Sequence, residues 1–307
     1  MASVQMEGLK KIMLQMMDNG MTPTFGNNID AIKLREIVGT AQMNMQIMSG
    51  VEFLPRKFGG MEAECCMPKE PDMCAVIMYI HGGGLIVGNA RSSRGYGSML
   101  AAESRHPVYT FSYRLAPENP FPAAVDDCFL AYQEIEKENT DKPVFLIGES
   151  GGAYLCLTTT IKAKENGMRM PAGVIPYSPV IDFSGAIERD TSNDFTVRDG
   201  GLESLADLYC PDKDIRKNPL VSPYYADYTD FPPMFLAWDE KETLSIDSKI
   251  IVEKLQECNI PVTYKAYPDC FHAFATTGRG TPESSEIMDD TITFINKFAK
   301  KKNFSTR

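Results

Sequence analysis

Long apolar runs are missing from this sequence of 307 residues. Its first twenty positions include Glu7, Lys10, Lys11 and Asp18, which leave no uninterrupted apolar stretch of the kind that a secretory signal requires. No later segment approaches the roughly 20 apolar residues that span a bilayer. We therefore expect no stable membrane insertion and a cytoplasmic location.

An excess of basic residues is also missing. The chain has 31 Lys and Arg against 41 Asp and Glu, a formal net charge of -10. Nucleic-acid binding depends on Lys and Arg that neutralise phosphates. The charge balance therefore argues against a nucleic-acid partner.

Metal-binding and disulfide patterns are scarce as well. The eight cysteines form no C-x-x-C pair, so a structural zinc site has little support. Several lie in apolar segments of a long chain without an export signal, which favours reduced, packed thiols over a disulfide framework. We expect neither a metal nor another cofactor.

Strand and helix patterns alternate through the second part of the chain. Apolar strand patterns at 75–80, 108–112, 144–147, 173–177, 234–238 and 262–267 are separated by helical patterns. A hairpin is expected before them, around Gly59 and Gly60. Such alternation is typical of an α/β fold with a mostly parallel sheet covered by helices on both faces.

Two regions depart from this alternation. Residues 1–48 have apolar positions at helical spacing and predict two helices, either a packing arm or a lid over a pocket. Residues 184–228 are rich in Asp, Pro and Tyr and predict an inserted cap segment, the alternative being a surface excursion without function. The remaining ranges, 49–183 and 229–307, would form the catalytic domain.

The segment Gly148–Gly152, which reads Gly-Glu-Ser-Gly-Gly, closes one apolar strand and precedes a helical pattern. A serine hydrolase holds its nucleophile on such a sharp strand-to-helix turn, where flanking glycines avoid a Cβ clash. We predict Ser150 as the nucleophile and the Gly151 N–H as an oxyanion donor. The alternative is a serine that only caps the following helix.

The segment His81–Gly84, which reads His-Gly-Gly-Gly, closes the strand at 75–80. A dinucleotide-binding loop at this point would need its third glycine at position 87, where the chain has Val87. An oxyanion loop is therefore favoured, with Gly83 and Gly84 as N–H donors. His81 would brace this loop rather than act as a base.

A serine nucleophile needs a base and an acid, and the chain has only three histidines: His81, His106 and His272. His106 precedes a proline at a strand entry and is expected to be a surface or packing residue. His272 follows the strand at 262–267 and precedes the last helix, which fits the chain order Ser, acid, His. Three carboxylates after the strand at 234–238 compete for the acid: Asp239, Glu240 and Glu242.

The segments Tyr113–Glu118 (Tyr-Arg-Leu-Ala-Pro-Glu) and Phe121–Ala124 (Phe-Pro-Ala-Ala), with Asp126 and both glycine segments, carry a resemblance to a known family. The chain resembles the hormone-sensitive-lipase-like esterases of the α/β-hydrolase fold from about residue 70 to its end. The resemblance implies a mostly parallel eight-stranded sheet with helices on both faces and a small helical cap. It also implies the roles given above to Ser150, His272 and the three glycines.

The acid departs from that family. Its members carry Asp-Pro-Leu where this chain has Glu242-Thr243-Leu244, so alignment on the leucine makes Glu242 the acid, whereas the strand end alone favours Asp239. The strand-to-helix turn at Gly148–Gly152, called the elbow below, also differs, since a large branch of the family has Asp where this chain has Glu149. Both changes keep a carboxylate, and triads with Glu or Asp both occur on this fold.

The resemblance implies a serine carboxylesterase that hydrolyses short- to medium-chain acyl esters through an acyl-enzyme intermediate. An amidase or peptidase using the same triad is the alternative within the hydrolases. A non-catalytic small-molecule receptor on the same scaffold is disfavoured because His272 is present. Related dimers also suggest a homodimer through the strand at 262–267, at an expected sheet edge.

Overall fold

The alternating patterns correspond to strands and helices in the structure, a computed structural model that describes residues 1–21, 24–42 and 46–299. The strands are β1 (Val51–Phe58), β2 (Met61–Pro68), β3 (Val76–Ile80), β4 (Val108–Phe111), β5 (Val144–Glu149), β6 (Gly173–Tyr177), β7 (Met234–Asp239) and β8 (Val262–Tyr267). The helices are α1 (Val4–Asp18), α2 (Ala31–Gln42), α3 (Arg94–Ser104), α4 (Ala123–Glu138), α5 (Gly151–Glu165), α6 (Gly201–Tyr209), α7 (Ser245–Glu257) and α8 (Pro282–Ala299). Within the described ranges, none of them has the length and apolar character needed to cross a bilayer.

All eight strands belong to one sheet, in the order β1-β2-β4-β3-β5-β6-β7-β8. The first two form the predicted antiparallel hairpin, in which Phe58 pairs with Met61, and β2 runs antiparallel to β4. The other neighbours are parallel. The predicted mostly parallel eight-stranded sheet is therefore confirmed, as is the edge position of β8.

The sheet is covered on both faces because its central strands are apolar on both sides. Along β3, Met78 and Ile80 belong to one buried cluster and Ile77 and Tyr79 to the other, following the period of two of a strand. Helices α4, α5 and α7 contribute to the first cluster, and α1, α3 and α8 to the second. With this double cover, β5, which lies between β3 and β6 in the interior of the sheet, is buried along most of its length.

Helix α5 is the most enclosed helix next to the sheet, with 12 of its 15 residues buried. A helix that is apolar around most of its circumference has to be surrounded by protein. Because β5 and α5 are joined directly at Ser150, the connection between them is held by a rigid strand on one side and a buried helix on the other.

The two regions that depart from the alternation meet over the carboxyl ends of the strands. The Phe25 N–H donates to the Thr196 carbonyl oxygen at 2.8 Å, and the Arg198 N–H donates to the Phe25 carbonyl oxygen at 2.7 Å. Arg35 of α2 forms an ion pair with Glu118 at 2.7 Å. Residues 22–23 and 43–45 of the predicted N-terminal segment lie outside the described residues.

Candidate active site

Ser150 lies on a strained turn between β5 and α5. Its backbone has φ 54° and ψ -121°, a region that non-glycine residues seldom adopt and that costs about 1–3 kcal/mol. Its N–H donates to the Tyr177 carbonyl oxygen at 2.9 Å, and its side chain makes no capping hydrogen bond to the helix. The capping alternative therefore has no support in the geometry, and the hydroxyl is free to face the cavity described below.

Two glycines allow this turn to press against the end of β3. A Cβ atom on Gly148 would lie 2.7 Å from the Gly152 carbonyl carbon and 2.8 Å from the Ile80 oxygen. A Cβ atom on Gly152 would collide with the same Ile80 oxygen. The Gly-x-Ser-x-Gly pattern is thus required by backbone contact between neighbouring strands.

The oxyanion loop follows β3 and lies against the start of α5. Gly83 and Gly84 have φ values of 103° and 60°, which glycine adopts without strain. A Cβ atom on Gly151 would lie 3.4 Å from the Gly84 nitrogen and 3.3 Å from the Leu85 nitrogen. In the described part of the chain, the N–H groups of Gly83, Gly84 and Gly151 have no protein acceptor among the hydrogen bonds found. These donors also lie at the positive end of the α5 dipole.

His272 and Glu242 form a buried pair. The His272 Nδ1 atom lies 3.1 Å from Glu242 Oε2, and both residues are buried. The His272 Nε2 atom has no hydrogen-bond partner among the described residues, although it is buried. An imidazole whose Nδ1 is held by a carboxylate leaves Nε2 free to accept a proton.

The pKa values of this pair follow from burial and mutual contact. Burial raises the pKa of Glu242 to about 7, opposed by the hydrogen bond from His272 and that from Ser178. Burial alone would lower the pKa of His272, but the hydrogen bond to Glu242 and its negative charge outweigh this effect and raise it. Each partner therefore stabilises the charged form of the other.

Among the described residues, neither of the other two candidate acids is hydrogen-bonded to His272. Asp239 Oδ1 accepts the Cys270 N–H at 3.2 Å, so this carboxylate joins the end of β7 to the loop before His272. Glu240 is exposed, and its N–H donates to the Tyr267 carbonyl oxygen at 2.9 Å. Of the three competing carboxylates, Glu242 is the one that lies against the histidine.

Ser178 supports the pair and was not predicted from the sequence. Its hydroxyl donates to Glu242 Oε2 at 2.9 Å and accepts the Ala273 N–H at 3.1 Å. Ser178 follows β6, the strand next to β5, and has a φ of 46°. A polar residue directly after a central parallel strand was the available signal, because these strand ends meet at one edge of the sheet.

Asp194, in the inserted region, supports the loop that carries Glu242. One of its oxygens accepts the Thr243 N–H at 3.0 Å, and the other accepts the N–H groups of Thr196 and Val197 at 2.8 and 3.0 Å. The Thr243 hydroxyl donates to the Val197 carbonyl oxygen at 2.8 Å. The inserted region and the loop after β7 therefore share one hydrogen-bond network.

The remaining histidines have structural contacts. The His81 ring stacks on Tyr113 with centroids 4.3 Å apart, and its Nδ1 lies 2.8 Å from the Gly82 oxygen. Burial lowers the pKa of His81 to about 4, so the ring is neutral at physiological pH. The His106 Nδ1 atom lies 2.7 Å from the Asp72 oxygen at the amino end of the strands, opposite Ser150.

The one set of potential metal ligands found in the described residues lies at that same far end. Ligand atoms of Asp72, Cys74 and His106 are within 4.8 Å of one another. Cys74 and His106 precede the starts of β3 and β4, whereas Ser150 follows the end of β5. These side chains and Ser150 therefore lie at opposite ends of the strands.

Two cavities open on Ser150. The larger, of about 280 Å³, is lined by Ser150, His272 and Gly83 on the sheet side, and by Met13, Phe25, Val38 and Thr196 on the other. The smaller has about 10 Å³ of free space and is lined by Ser150, Gly151 and Gly84, with an apolar wall of Phe25, Leu85, Val180, Phe183, Val197, Leu202, Leu205 and Leu244. Both regions outside the alternating pattern thus contribute to the walls.

Comparisons with known proteins identify the family to which this fold belongs. A family model described as alpha/beta hydrolase fold matches residues 77–276. The crystal structure of a hormone-sensitive lipase from a metagenome library superimposes with a TM-score of 0.85 at 30% identity, covering 95% of this chain and 98% of that one. The chain belongs to the α/β-hydrolase family, among its hormone-sensitive-lipase-like esterases.

Two further relatives of this esterase are similar over most of their length. An esterase from Acinetobacter venetianus is 28% identical over 248 residues, which cover 80% of this chain and 82% of that protein. An acetyl-hydrolase from Streptomyces hygroscopicus is 29% identical over 241 residues, which cover 77% and 80%. The predicted family is confirmed, and so is the predicted class of carboxylic ester hydrolase.

Proposed function

We propose that this esterase hydrolyses short-chain carboxylic esters through an acyl-enzyme on Ser150, with His272 as the base and Glu242 as the acid. The observation that carries the proposal is the position of His272. Its Nδ1 lies 3.1 Å from Glu242 Oε2, and its Nε2 has no hydrogen-bond partner among the described residues. His272 and Ser150 line the same cavity. This is the arrangement in which a serine loses its proton to an imidazole.

The reaction has two steps. His272 Nε2 takes the Ser150 proton as the oxygen attacks the ester carbonyl, and the resulting imidazolium gives that proton to the leaving alcohol. Water then attacks the acyl-enzyme as His272 takes its proton, and the imidazolium returns that proton to the Ser150 oxygen as the carboxylic acid product leaves. Glu242 keeps Nε2 directed at the reacting oxygen and stabilises the imidazolium, a role that its one extra methylene over Asp does not prevent.

The N–H groups of Gly83, Gly84 and Gly151 are proposed to hold the oxyanion of each tetrahedral intermediate. Support comes from the close approach of Gly151 to the Gly84 nitrogen and from the lack of protein acceptors for these groups in the described residues. Fixed amide donors of this kind need no reorganisation as charge develops, and each is worth about 2.7–4 kcal/mol of the barrier.

The small apolar cavity beside Ser150 supports a short acyl group. Its free space of about 10 Å³ is close to the room that one water needs, so an extended chain would have to displace Leu202 or Leu205. The larger cavity, of about 280 Å³, has room for the alcohol part of the ester. Within the predicted range of short to medium chains, acetyl and propionyl esters should therefore be preferred.

We also propose that residues 1–48 and 184–228 form a cap over a catalytic domain made of 49–183 and 229–307. Residues of both cap segments line the cavities, which supports a role beyond packing. A homodimer through the edge strand β8 stays a prediction, and so does the cytoplasmic location.

A chain-length series tests this proposal. We expect kcat/KM to fall from p-nitrophenyl acetate through the butyrate to the octanoate, with acyl-Ser150 detectable by mass spectrometry after rapid quenching. Matched p-nitroanilides should be hydrolysed far more slowly, which would separate an esterase from an amidase. Octanoate as the best substrate would contradict the acyl-pocket assignment, and an acyl group on another residue would contradict the mechanism.

A further inference from the structure

Glu149, the residue before the nucleophile, connects the elbow to the oxyanion loop. Its Oε1 atom accepts the Gly82 N–H at 2.7 Å, and its Oε2 atom accepts the Tyr79 hydroxyl at 2.8 Å. Both partners belong to β3 or to the loop that follows it. One carboxyl group therefore spans from the end of β5 to the first glycine of the oxyanion loop.

The first glycine of the oxyanion loop lies directly against the turn that carries Ser150. A Cβ atom on Gly82 would lie 2.8 Å from the Glu149 carbonyl oxygen and 3.1 Å from its Oε1, so the two segments touch. From the other side, the Tyr113 hydroxyl donates to the His81 carbonyl oxygen at 2.9 Å. Gly82 is thus held on one flank by Glu149, directly before the two glycines whose N–H groups face the substrate.

The surroundings of Glu149 make the loss of its two hydrogen bonds energetically costly. Burial raises its pKa to about 7, opposed by the Gly82 N–H and the Tyr79 hydroxyl. The other titratable groups that interact with its charge are Tyr96 of α3, Tyr113 after β4, Cys156 of α5, Tyr177 of β6 and His272. Of these groups only His272 can carry a positive charge, so the hydrogen bonds from Gly82 and Tyr79 supply most of the compensation for the carboxylate.

We propose that Glu149 is a positioning residue, whose carboxyl group fixes the Gly82 N–H and thereby directs the Gly83 and Gly84 N–H groups at the developing oxyanion. The inference rests on the proposed function, because it assigns those two glycines as donors. Its effect should appear in the transition state and not in substrate binding, since the uncharged ester carbonyl depends less on these donors.

Three variants test the hydrogen bond apart from the charge. Glu149→Gln keeps an oxygen that can accept from Gly82 and an amide that can donate to Tyr79, whereas Glu149→Met keeps neither. Glu283→Met is the matched control, because Glu283 also accepts one backbone N–H and one hydroxyl, both from Ser3, at 2.6 and 2.8 Å. Folding of each variant is followed by circular dichroism and thermal melting.

With p-nitrophenyl acetate, we expect Glu149→Met to lower kcat by about 10²-fold while KM stays within about threefold, the size expected for a misdirected oxyanion donor. Glu149→Gln and Glu283→Met should keep kcat within about threefold of the parent. An alkylboronic acid, which forms a tetrahedral adduct on the serine, should inhibit Glu149→Met about 10²-fold less strongly.

Two results would overturn the inference: a parental kcat in Glu149→Met, or a Glu149→Gln variant as slow as Glu149→Met, which would point to the charge instead of the hydrogen bond. Should the methionine variant fail to fold, Glu149→Ser repeats the test, because its hydroxyl is too short to reach Gly82. An inactive parent enzyme would refute the proposed function itself, whereas an active parent with an active Glu149→Met would refute only the role of Glu149.

Discussion

The two sides of the cavity around Ser150 are built in different ways. On the sheet side, backbone groups are fixed by contacts that admit no side chain, as at Gly152 against the Ile80 oxygen. On the other side, the wall consists mostly of apolar side chains, among them Met13 and Leu205. We therefore expect backbone geometry to determine the chemistry on one side, and side chains to determine substrate fit on the other.

This difference separates two kinds of mutation. A change on the sheet side should lower the rate for every ester, because it alters groups that act on the carbonyl itself. A change on the cap side should redistribute activity among esters of different length. The predictions that follow test this separation, beginning with the largest expected effect.

Removing the nucleophile should abolish turnover. We expect Ser150→Ala to lower kcat by about 10⁴–10⁶-fold for every acyl length, because no other hydroxyl replaces it in the mechanism. The measurement is hydrolysis of p-nitrophenyl acetate and octanoate by folded protein. Residual activity within tenfold of the parent would show that the reaction runs elsewhere.

Exchanging the two candidate acids should have unequal effects. Glu242→Gln is expected to lower kcat by about 10³–10⁴-fold, since His272 loses the carboxylate that orients it and stabilises its charge. Asp239→Asn is the matched control, and its kcat should stay within about tenfold because its amide oxygen can still accept the Cys270 N–H. The reverse order would make Asp239 the acid.

Shortening an apolar side chain of the cavity wall should change the preference for acyl-chain length and leave the catalytic mechanism unchanged. Leu205→Ala is expected to raise the hexanoate-to-acetate ratio of kcat/KM by about tenfold or more, because one methylene in an apolar pocket is worth about 10–200-fold. Leu208→Ala, on the same helix but absent from the lining of both cavities, should leave the ratio unchanged. Equal ratios in both variants would remove Leu205 from the acyl site.

The smallest effect should be a shift in pH dependence. His272 acts as a base only when neutral, and the charge of Glu149 adds to that of Glu242 in raising its pKa. Removing the Glu149 charge lowers the pKa of His272, so Glu149→Gln should move the acidic limb of kcat/KM to lower pH. An unchanged limb, or one at higher pH, would mean that the charge of Glu149 does not reach the histidine.

Local signals in the sequence were sufficient for the elements that follow a regular pattern. The strand before Ser150, the helix after it and the glycine constraints at 148 and 152 all depend on neighbouring residues, and so could be predicted. His272 could be assigned because only three histidines exist and two precede the serine. The choice of Glu242 depended on alignment to Leu244.

Other parts of the site could not be predicted because they depend on contacts between distant segments. Ser178 reaches Glu242 across 64 positions, and Glu149 reaches Gly82 across 67. The position of each residue at a strand end is visible in the sequence, but the partner that it reaches is not. Residues 1–48 were predicted as amphipathic helices and residues 184–228 as an insertion, but periodicity shows which face of a helix is buried and not which cavity it lines.

Asp194 has a consequence for exchanging caps between esterases of this family. Because it holds Thr243 next to Glu242 as well as its own segment, the inserted region includes part of the scaffold of the reaction centre. A chimera that receives a foreign insertion without an equivalent carboxylate would leave the Thr243 amide unsatisfied, and its turnover would fall together with its substrate preference. When this insertion is exchanged, position 194 therefore has to keep the aspartate of the recipient protein.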